Sequence, residues 1–574
     1  MRGKRLACAE CAPRDSSHRP GAIHHPVRHP VAIRHPGASR DPAGIEKRLC
    51  LPALRSTWIG AALRALSAGA LLLLSAAAAA GQNEDLYREH CAACHGADRL
   101  GGMGPALLPE NLGRLSRSAT REVIANGRHA TQMPGFAGTL TPSRIESLTQ
   151  FVHSALARVP DWGAAQIEQS RVVMPGADRL PARPAYAADP LNLFVVVEAG
   201  DQHVTILDGD RFEPLTRFPS RFALHGGPKF SPDGRFVYFA SRDGWISKYD
   251  LWNLHLVAEV RAGINTRNAA VSADGRYVAV GNYLPHDLVI LDARDLSLVR
   301  IIETRDKAGN SSRVSAVYDA APRSSFVVAL KDVPELWEIS YDPAAEPVYE
   351  GMVHDYRLGE GIAAPGQFTP RRTQLDGILD DFFFDPTYAY VIGAGRDGAA
   401  GQVINLDVRR RVAHLPLPGL PHLGSGITWD YQGRTVLATP NLKSAVVSVI
   451  DMKTWQPLRQ IETAGPGFFM RSHENSRYAW VDAFNSPRKD SLQVIDKATL
   501  EVVRTITPAP GRTAAHVEFT RDGRFALVSV WEMDGALVVY DAATLEEVRR
   551  IPMRKPVGKY NVHNKITRSS GTSH

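Results

Sequence analysis

The sequence predicts two domains, a small all-α module followed by an all-β, eight-bladed β-propeller. Three observations predict this. Between residues 188 and 565 one unit recurs eight times: a tight turn, a β-rich strand, a short loop, a second strand ending in Asp, and a further strand. Ahead of it, Cys91-Ala-Ala-Cys94-His95 sits in sequence patterned for helix. A Pro-rich stretch over 159–187, containing MPGADRLPARPAYA, separates the two and reads as a linker that either wraps the propeller or lets the domains move.

The first eighty residues stand apart. HRPGAIHHPVRHPVAIRHPGASRDP (18–42) is rich in His, Arg and Pro and has no apolar periodicity with which to build a core. Residues 1–50 are therefore read as foreign to the mature protein, with a translation start expected near residue 51. Residues 51–81 carry arginines, then an apolar run, then small residues, the pattern of a secretory signal cleaved near Ala80–Gly81. Export to the periplasm is the expectation. The net charge of +7 owes much to the leader, so the basic balance carries no nucleic-acid signal. Of five cysteines, Cys8, Cys11 and Cys50 precede the expected cleavage point, leaving Cys91 and Cys94.

Residues 82–158 form the all-α module. Cys-x-x-Cys-His is the attachment sequence of a c-type haem: two thioethers to the porphyrin and an axial bond from His95 to the iron. A redox dithiol or half a zinc site are the other readings, but with Cys8 and Cys11 in the leader no second cysteine pair is expected in the processed chain to complete zinc. GMGP (102–105) fits a loop under a haem, and TPSRIESLTQFVHSAL (141–156) has helical spacing behind a Thr-Pro start. In NGRHATQMPGFAGTL (126–140), Met133 is the expected sixth ligand, with His129 the competitor. The module is similar to class I cytochromes c.

In the repeat, units open at ADPLNLFVVVEAGDQHVTILD (188–208) and SPDGRFVYFASRDGWISKYDL (231–251). Six more follow at 272–296, 320–342, 384–407, 430–455, 474–500 and 521–545. Unit spacing of this order with four strands apiece is the mark of a propeller, which must close because one unit cannot bury both faces of its sheet. The segment before each tight turn becomes the innermost strand, and its entry loops gather at one end of the axis. There the chain places Arg221, His225, Arg267, Arg313, Asp376, Asp380, His422, Phe468, Phe469 and His516, with Arg242 and Lys331 closing adjacent strands. Histidine among several cations points to an iron macrocycle bearing carboxylates. His473 and His516 lie within the repeat's consensus and are read as structural.

Over residues 84–565 the chain resembles the cytochrome cd1 nitrite reductase family, most specifically in RDGWISKYDLW, HVEFTRDGRFALVSVW and PVGKYNVHN. The resemblance implies a d1-type propeller holding haem d1, with His225 as proximal iron ligand. The reductases of that family carry two distal histidines; here those places read AGNSSRVSAVY (308–318) and LDDFFFD (379–385), with Asp380 where a histidine is expected. An inserted loop at 350–372 is the candidate to lie over the pocket. Together with SSRVSAVYD and MPGF, this is similar to the branch of the family that completes haem d1 rather than using it.

That resemblance implies a haem-dependent oxidoreductase of haem d1 biosynthesis, desaturating a propionate of dihydro-haem d1 to acrylate. Covalent haem c would take up electrons, and haem d1 or its dihydro precursor would bind non-covalently. His422, in PGLPHLGSGITW, is the candidate base and His354 the second candidate. Arg267, Arg313 and Arg242, with Arg221 and Lys331 as weaker members, are the expected carboxylate partners. A nitrite reductase with a rearranged pocket and a non-catalytic haem d1 carrier are the alternatives. The partners implied are the tetrapyrrole, a cytochrome cd1 nitrite reductase or other haem d1 protein in transient contact, and a periplasmic electron acceptor, with no nucleic acid.

Overall fold

A computed structural model describes residues 81–101, 104–112, 115–127, 133–156, 158, 160–224, 227–349, 363–395 and 401–567. The leader readings over 1–50 and most of 51–81, together with His129, His225, His354 and residues 568–574, lie outside them.

The repeat's turn chemistry explains why its strands begin and end where they do. In SPDG the Ser231 hydroxyl donates to Asp233 and accepts from the Phe236 N–H, while Gly234 takes φ +71°. Ser272–Asp274–Gly275 and Thr520–Asp522–Gly523 repeat the arrangement. Glycine is required there because a left-handed residue must turn the chain tightly. The Asp that closes most third strands has its own task. Asp208, Asp250, Asp451, Asp496 and Asp541 each accept the N–H two residues on, which starts the turn into the outer strand.

Eight blade sheets result, with a separate two-stranded ribbon of Val348–Tyr349 and Ala363–Ala364. Six blades are built from chain-consecutive strands, counting Val172–Val173 as an added edge on blade 2, and in blade 4 the two-stranded ribbon intervenes between the third strand and the outer strand, Pro370–Gln374. Blade 1 is closed differently. Its innermost strand is Pro556–Asn561, from the far end of the chain, paired antiparallel with Leu193–Glu198 (Phe194 opposite Asn561, Val197 opposite Gly558). Each blade is covered by its neighbours: eight apolar clusters occupy the eight junctions, such as Phe326, Trp337 and Ile302 between blades 3 and 4. The last junction, joining Phe194 and Val196 to Leu527 and Leu537, exists only because the ring is closed.

The all-α module packs its own core of Leu86, Tyr87, Ile124, Ile145 and Leu148. Its closing helix is Pro142–Val152, where the Thr141 hydroxyl accepts the Arg144 N–H. The stretch after it wraps the propeller: the helix Ala164–Ser170 buries Ile167 on blade 2, and Val172 and Val173 pair with Glu259 and Ala258. The module is held against blades 2 and 3 by an apolar contact of Ala106 and Leu108 with Ile264 and Leu284. Beside it the Arg261 guanidinium donates to the Leu100 and Asp243 carbonyls, and the Trp162 indole donates to the Arg261 carbonyl.

Placing a carboxylate in this dry contact is costly. Ile264→Asp is expected to release the module without unfolding the propeller. Limited proteolysis should then cut within 159–187 in the variant and not in the parent, with the far-UV circular dichroism unchanged.

Candidate functional site

Two pockets open at the same end of the propeller. The first belongs to the all-α module and is lined by His90, Cys91, Cys94, His95, Met133 and Phe136, with Gln202 and Phe222 reaching in from the propeller. The imidazole of His95 is buried, and its Nδ1–H donates to the Pro105 carbonyl at 2.8 Å, which leaves Nε2 for a metal. A side chain at Gly104 would place its Cβ 2.7 Å from His95 Cε1, so the loop holding Pro105 lies directly on the ring. Cys91 and Cys94 form no disulfide, and burial pushes the Cys91 thiol up to about 11. A redox dithiol needs the opposite shift. The donor set and this cradle fit a haem ligated by His95 and Met133.

The second is a cavity of about 600 Å³ on the propeller axis, in the range of small-molecule sites. It is lined by the strand ends and entry loops of successive blades, as the repeat demands. His422 is in its wall. The residue caps a short turn, Leu423–Ser425, and its Nδ1–H donates to the Phe468 carbonyl at 2.6 Å. Burial pushes its pKa down, against Asp381, so the ring is neutral with its lone pair on Nε2. Gly424 is needed here, since a Cβ would meet the Asp381 carboxylate at 2.4 Å.

An aromatic ladder runs round the wall from His422 through Phe468 and Phe469 to His516 and Tyr560, with ring centroids 4.3–5.1 Å apart. Asp482, 1 % exposed, fixes its middle: the carboxylate accepts the N–H groups of Phe468 at 2.7 Å and Phe469 at 3.0 Å. The structural reading of His473 stands, its ring lying against Gly523 in the blade 7–8 junction. That of His516 is corrected. His516 has φ +55° at a bulge between Ala515 and Val517, which turns it off the strand into the cavity wall. Its Nδ1, like the Trp531 indole N–H in the same wall, has no hydrogen-bond partner among the described residues. Buried polar atoms left open on an aromatic, cationic cavity fit a flat, polar-rimmed ligand.

The cations sort differently from expectation. Arg267 lines the cavity, steadied by donation to the Ser315 carbonyl at 2.8 Å. Arg221 does not: it pairs with Glu259 at 2.5 Å and stacks on Trp245. Arg313 is likewise engaged by Asp332 at 2.5 Å, and Lys331 by Asp380 at 2.5 Å. Arg242 also lies outside the lining. Arg221 and Arg313 are taken by carboxylates of the blade each one leads into, Glu259 and Asp332, and Lys331 by Asp380 of the next blade. Arg471 and Tyr318 line the cavity unforeseen, Tyr318 donating to Asp381 at 2.8 Å. Arg471 precedes His473 in a blade whose inner strand is two residues long, too short for a pattern to mark it.

The inserted loop is corrected too. Its described stems, Val348–Tyr349 and Ala363–Ala364, follow the third strand of blade 4 and lead to its outer strand, Pro370–Gln374. Strands alternate in direction, so they leave at the end opposite the cavity, where Gln367 reaches Tyr341.

With this geometry in place, comparison with known proteins is decisive. Residues 188–353 and 363–565 match the family model described as cytochrome D1 heme domain. The chain belongs to the cytochrome d1 haem-domain family. Residues 77–152 match the cytochrome c oxidase, cbb3-type, subunit III model, which agrees with a cytochrome c domain. The chain is 59% identical over 505 residues to the dihydro-heme d1 dehydrogenase of Pseudomonas aeruginosa, covering 88% of this chain and 98% of that one. It is 24% identical over 534 residues to a nitrite reductase of Stutzerimonas stutzeri (84% and 92% covered). A solved structure of dihydro-heme d1 dehydrogenase NirN in complex with DHE superposes with TM-score 0.78 at 59% identity, covering 84% of this chain and 99% of that one.

Burial pushes the Asp482 carboxyl up to about 6 from an ordinary value near 3.8. The folded protein therefore binds the extra proton more tightly. The associated stability is complete below a pH of about 4 and is lost as pH rises through about 6. Asp482→Asn removes this slope. Thermal melts across that window should show the parent losing stability relative to the variant as pH rises.

Proposed function

We propose that this member of the cytochrome d1 haem-domain family is an oxidoreductase of haem d1 biosynthesis that desaturates a propionate of dihydro-haem d1 to acrylate. One observation carries the reading: a neutral imidazole, His422, held by its Nδ1 proton, shares a cavity with Arg267 and Arg471. The near-full-length relative at 59% identity supports it. Guanidinium groups can pair with substrate carboxylates in bidentate fashion, and Phe468, Phe469 and Trp531 in the cavity wall offer apolar faces to a flat ring.

In the reaction two C–H bonds break and a C–C bond becomes double, so two protons and two electrons leave. His422 takes one proton at Nε2, and nearby Asp381 offsets the charge the ring then acquires. The cavity's carboxylates, of which Asp381 carries the Tyr318 hydrogen bond, supply the acceptor for the second. Haem c would be held by Cys91, Cys94, His95 and Met133, which line one pocket, and would supply a one-electron acceptor within the same chain. An external electron acceptor must then be used between the two transfers. Attachment outside the cytoplasm fits a periplasmic protein exported by the 51–81 segment, with product handed to a haem d1 protein such as a cytochrome cd1 nitrite reductase. A nitrite reductase needs acids over the ring, and here Asp380 is engaged by Lys331 and Asp381 by Tyr318.

Anaerobic mixing of the haem c-loaded protein with dihydro-haem d1, followed by mass spectrometry of the extracted tetrapyrrole, tests this. Loss of two hydrogens with reduction of haem c is expected; an unchanged mass with tight binding would favour the carrier. His422→Ala should bind the tetrapyrrole and lower the desaturation rate by about 10²–10⁴-fold. Unchanged turnover would remove His422 from the chemistry.

A further inference from the structure

The two pockets share a wall. Gln202 and Phe222 line the haem c pocket from the propeller side, while Leu224 and Gly227 line the axial cavity. Phe222 and Leu224 are two residues apart, so at most about 7 Å of chain separates one lining from the other.

That wall is braced. Gln202 ends the turn after Leu193–Glu198 with φ +61°, and its carbonyl accepts the Ser220 N–H at 2.7 Å, tying the turn to the segment that carries Phe222. Arg217 bridges Asp201 at 2.6 Å and the buried Glu198 at 2.9 Å. Arg221, next to Phe222, is fixed by Glu259 and Trp245. The cytochrome domain is held to the same end of the propeller through Leu108, Ile264 and the Arg261–Leu100 hydrogen bond. Neither pocket needs to move to meet the other.

We propose that Phe222 is the residue that couples the two sites, a positioning residue that fills the gap between substrate and haem c so that electrons cross without domain motion. This rests on the desaturation reading above. Both electrons released as the substrate's C–C bond becomes double take this route, one at a time, with ferricyanide or a one-electron carrier protein reoxidising haem c between them. The two protons stay on the cavity side. Replacing the ring by a methyl group opens the wall and leaves His422, Arg267 and Arg471 untouched.

The test is single-turnover reduction of haem c after anaerobic mixing of holoprotein with dihydro-haem d1, for the parent, Phe222→Ala and Phe222→Tyr. Spectral titration of tetrapyrrole binding and the haem c midpoint potential are measured alongside. Phe222→Ala is expected to slow haem c reduction about tenfold, with binding and potential unchanged, and Phe222→Tyr to restore the rate. Reduction at the parental rate in Phe222→Ala would overturn the proposal. So would a loss explained by weaker tetrapyrrole binding or a shifted potential. If Phe222→Ala does not take up haem c, Phe222→Leu is read in its place against the same criteria. Parent protein that binds the tetrapyrrole and never reduces haem c would refute the desaturation reading itself, a separate outcome.

Discussion

Ring closure is the constraint on which everything else rests. A four-stranded blade has two apolar faces and no way to bury both, so each blade is stable only between neighbours. The chain meets this by returning its C-terminal strand, Pro556–Asn561, to the inside of the first blade. Functional residues ride on that closure. Lys559, fully buried, donates to the His516 carbonyl and to the Ser529 hydroxyl at 2.9 Å. Tyr560 meets the His516 ring edge to face. The strand that seals the ring therefore also completes the cavity wall.

Closure also gives the site its geometry. Inner strands start at the cavity end and second strands finish there, so residues hundreds of positions apart in sequence face one another. Arg267, His422, Arg471 and His516 come from blades 3, 6, 7 and 8. The same end carries the loops on which the cytochrome domain sits. The repeat thus supplies the axial cavity, the docking surface and the Gln202–Phe222 side of the other pocket.

Most of the fold was legible because its determinants are local. The Ser/Thr-x-Asp-Gly turns and the strand-ending Asp residues satisfy backbone groups within a few positions, so their spacing shows in the sequence. Cys91, Cys94, His95 and Met133 were readable for the same reason, being set by short motifs. The cavity was only partly legible. His422 was found because flanking glycines mark a close approach, and Gly424 does pack on Asp381. The ion pairs of Arg221, Arg313 and Lys331 with Glu259, Asp332 and Asp380 were not legible, because folding of the blade and, for Lys331, packing on the next blade bring these carboxylates up. His516 was hidden by a bulge, which turns a residue of the repeat's consensus out of its usual place. The end of blade 4 at which the stems Val348–Tyr349 and Ala363–Ala364 lie follows from counting strands within the blade, not from composition.

On this reading, substrate and haem c work within one rigid chain. Stopped-flow measurement of the first phase of haem c reduction, with tetrapyrrole-loaded protein at varied concentration, tests it most directly. A first-order rate constant that does not change with protein concentration is predicted, since the wall from Phe222 to Leu224 belongs to a single molecule. A rate that rises in proportion to protein concentration would mean that electrons pass between molecules, and would contradict the account.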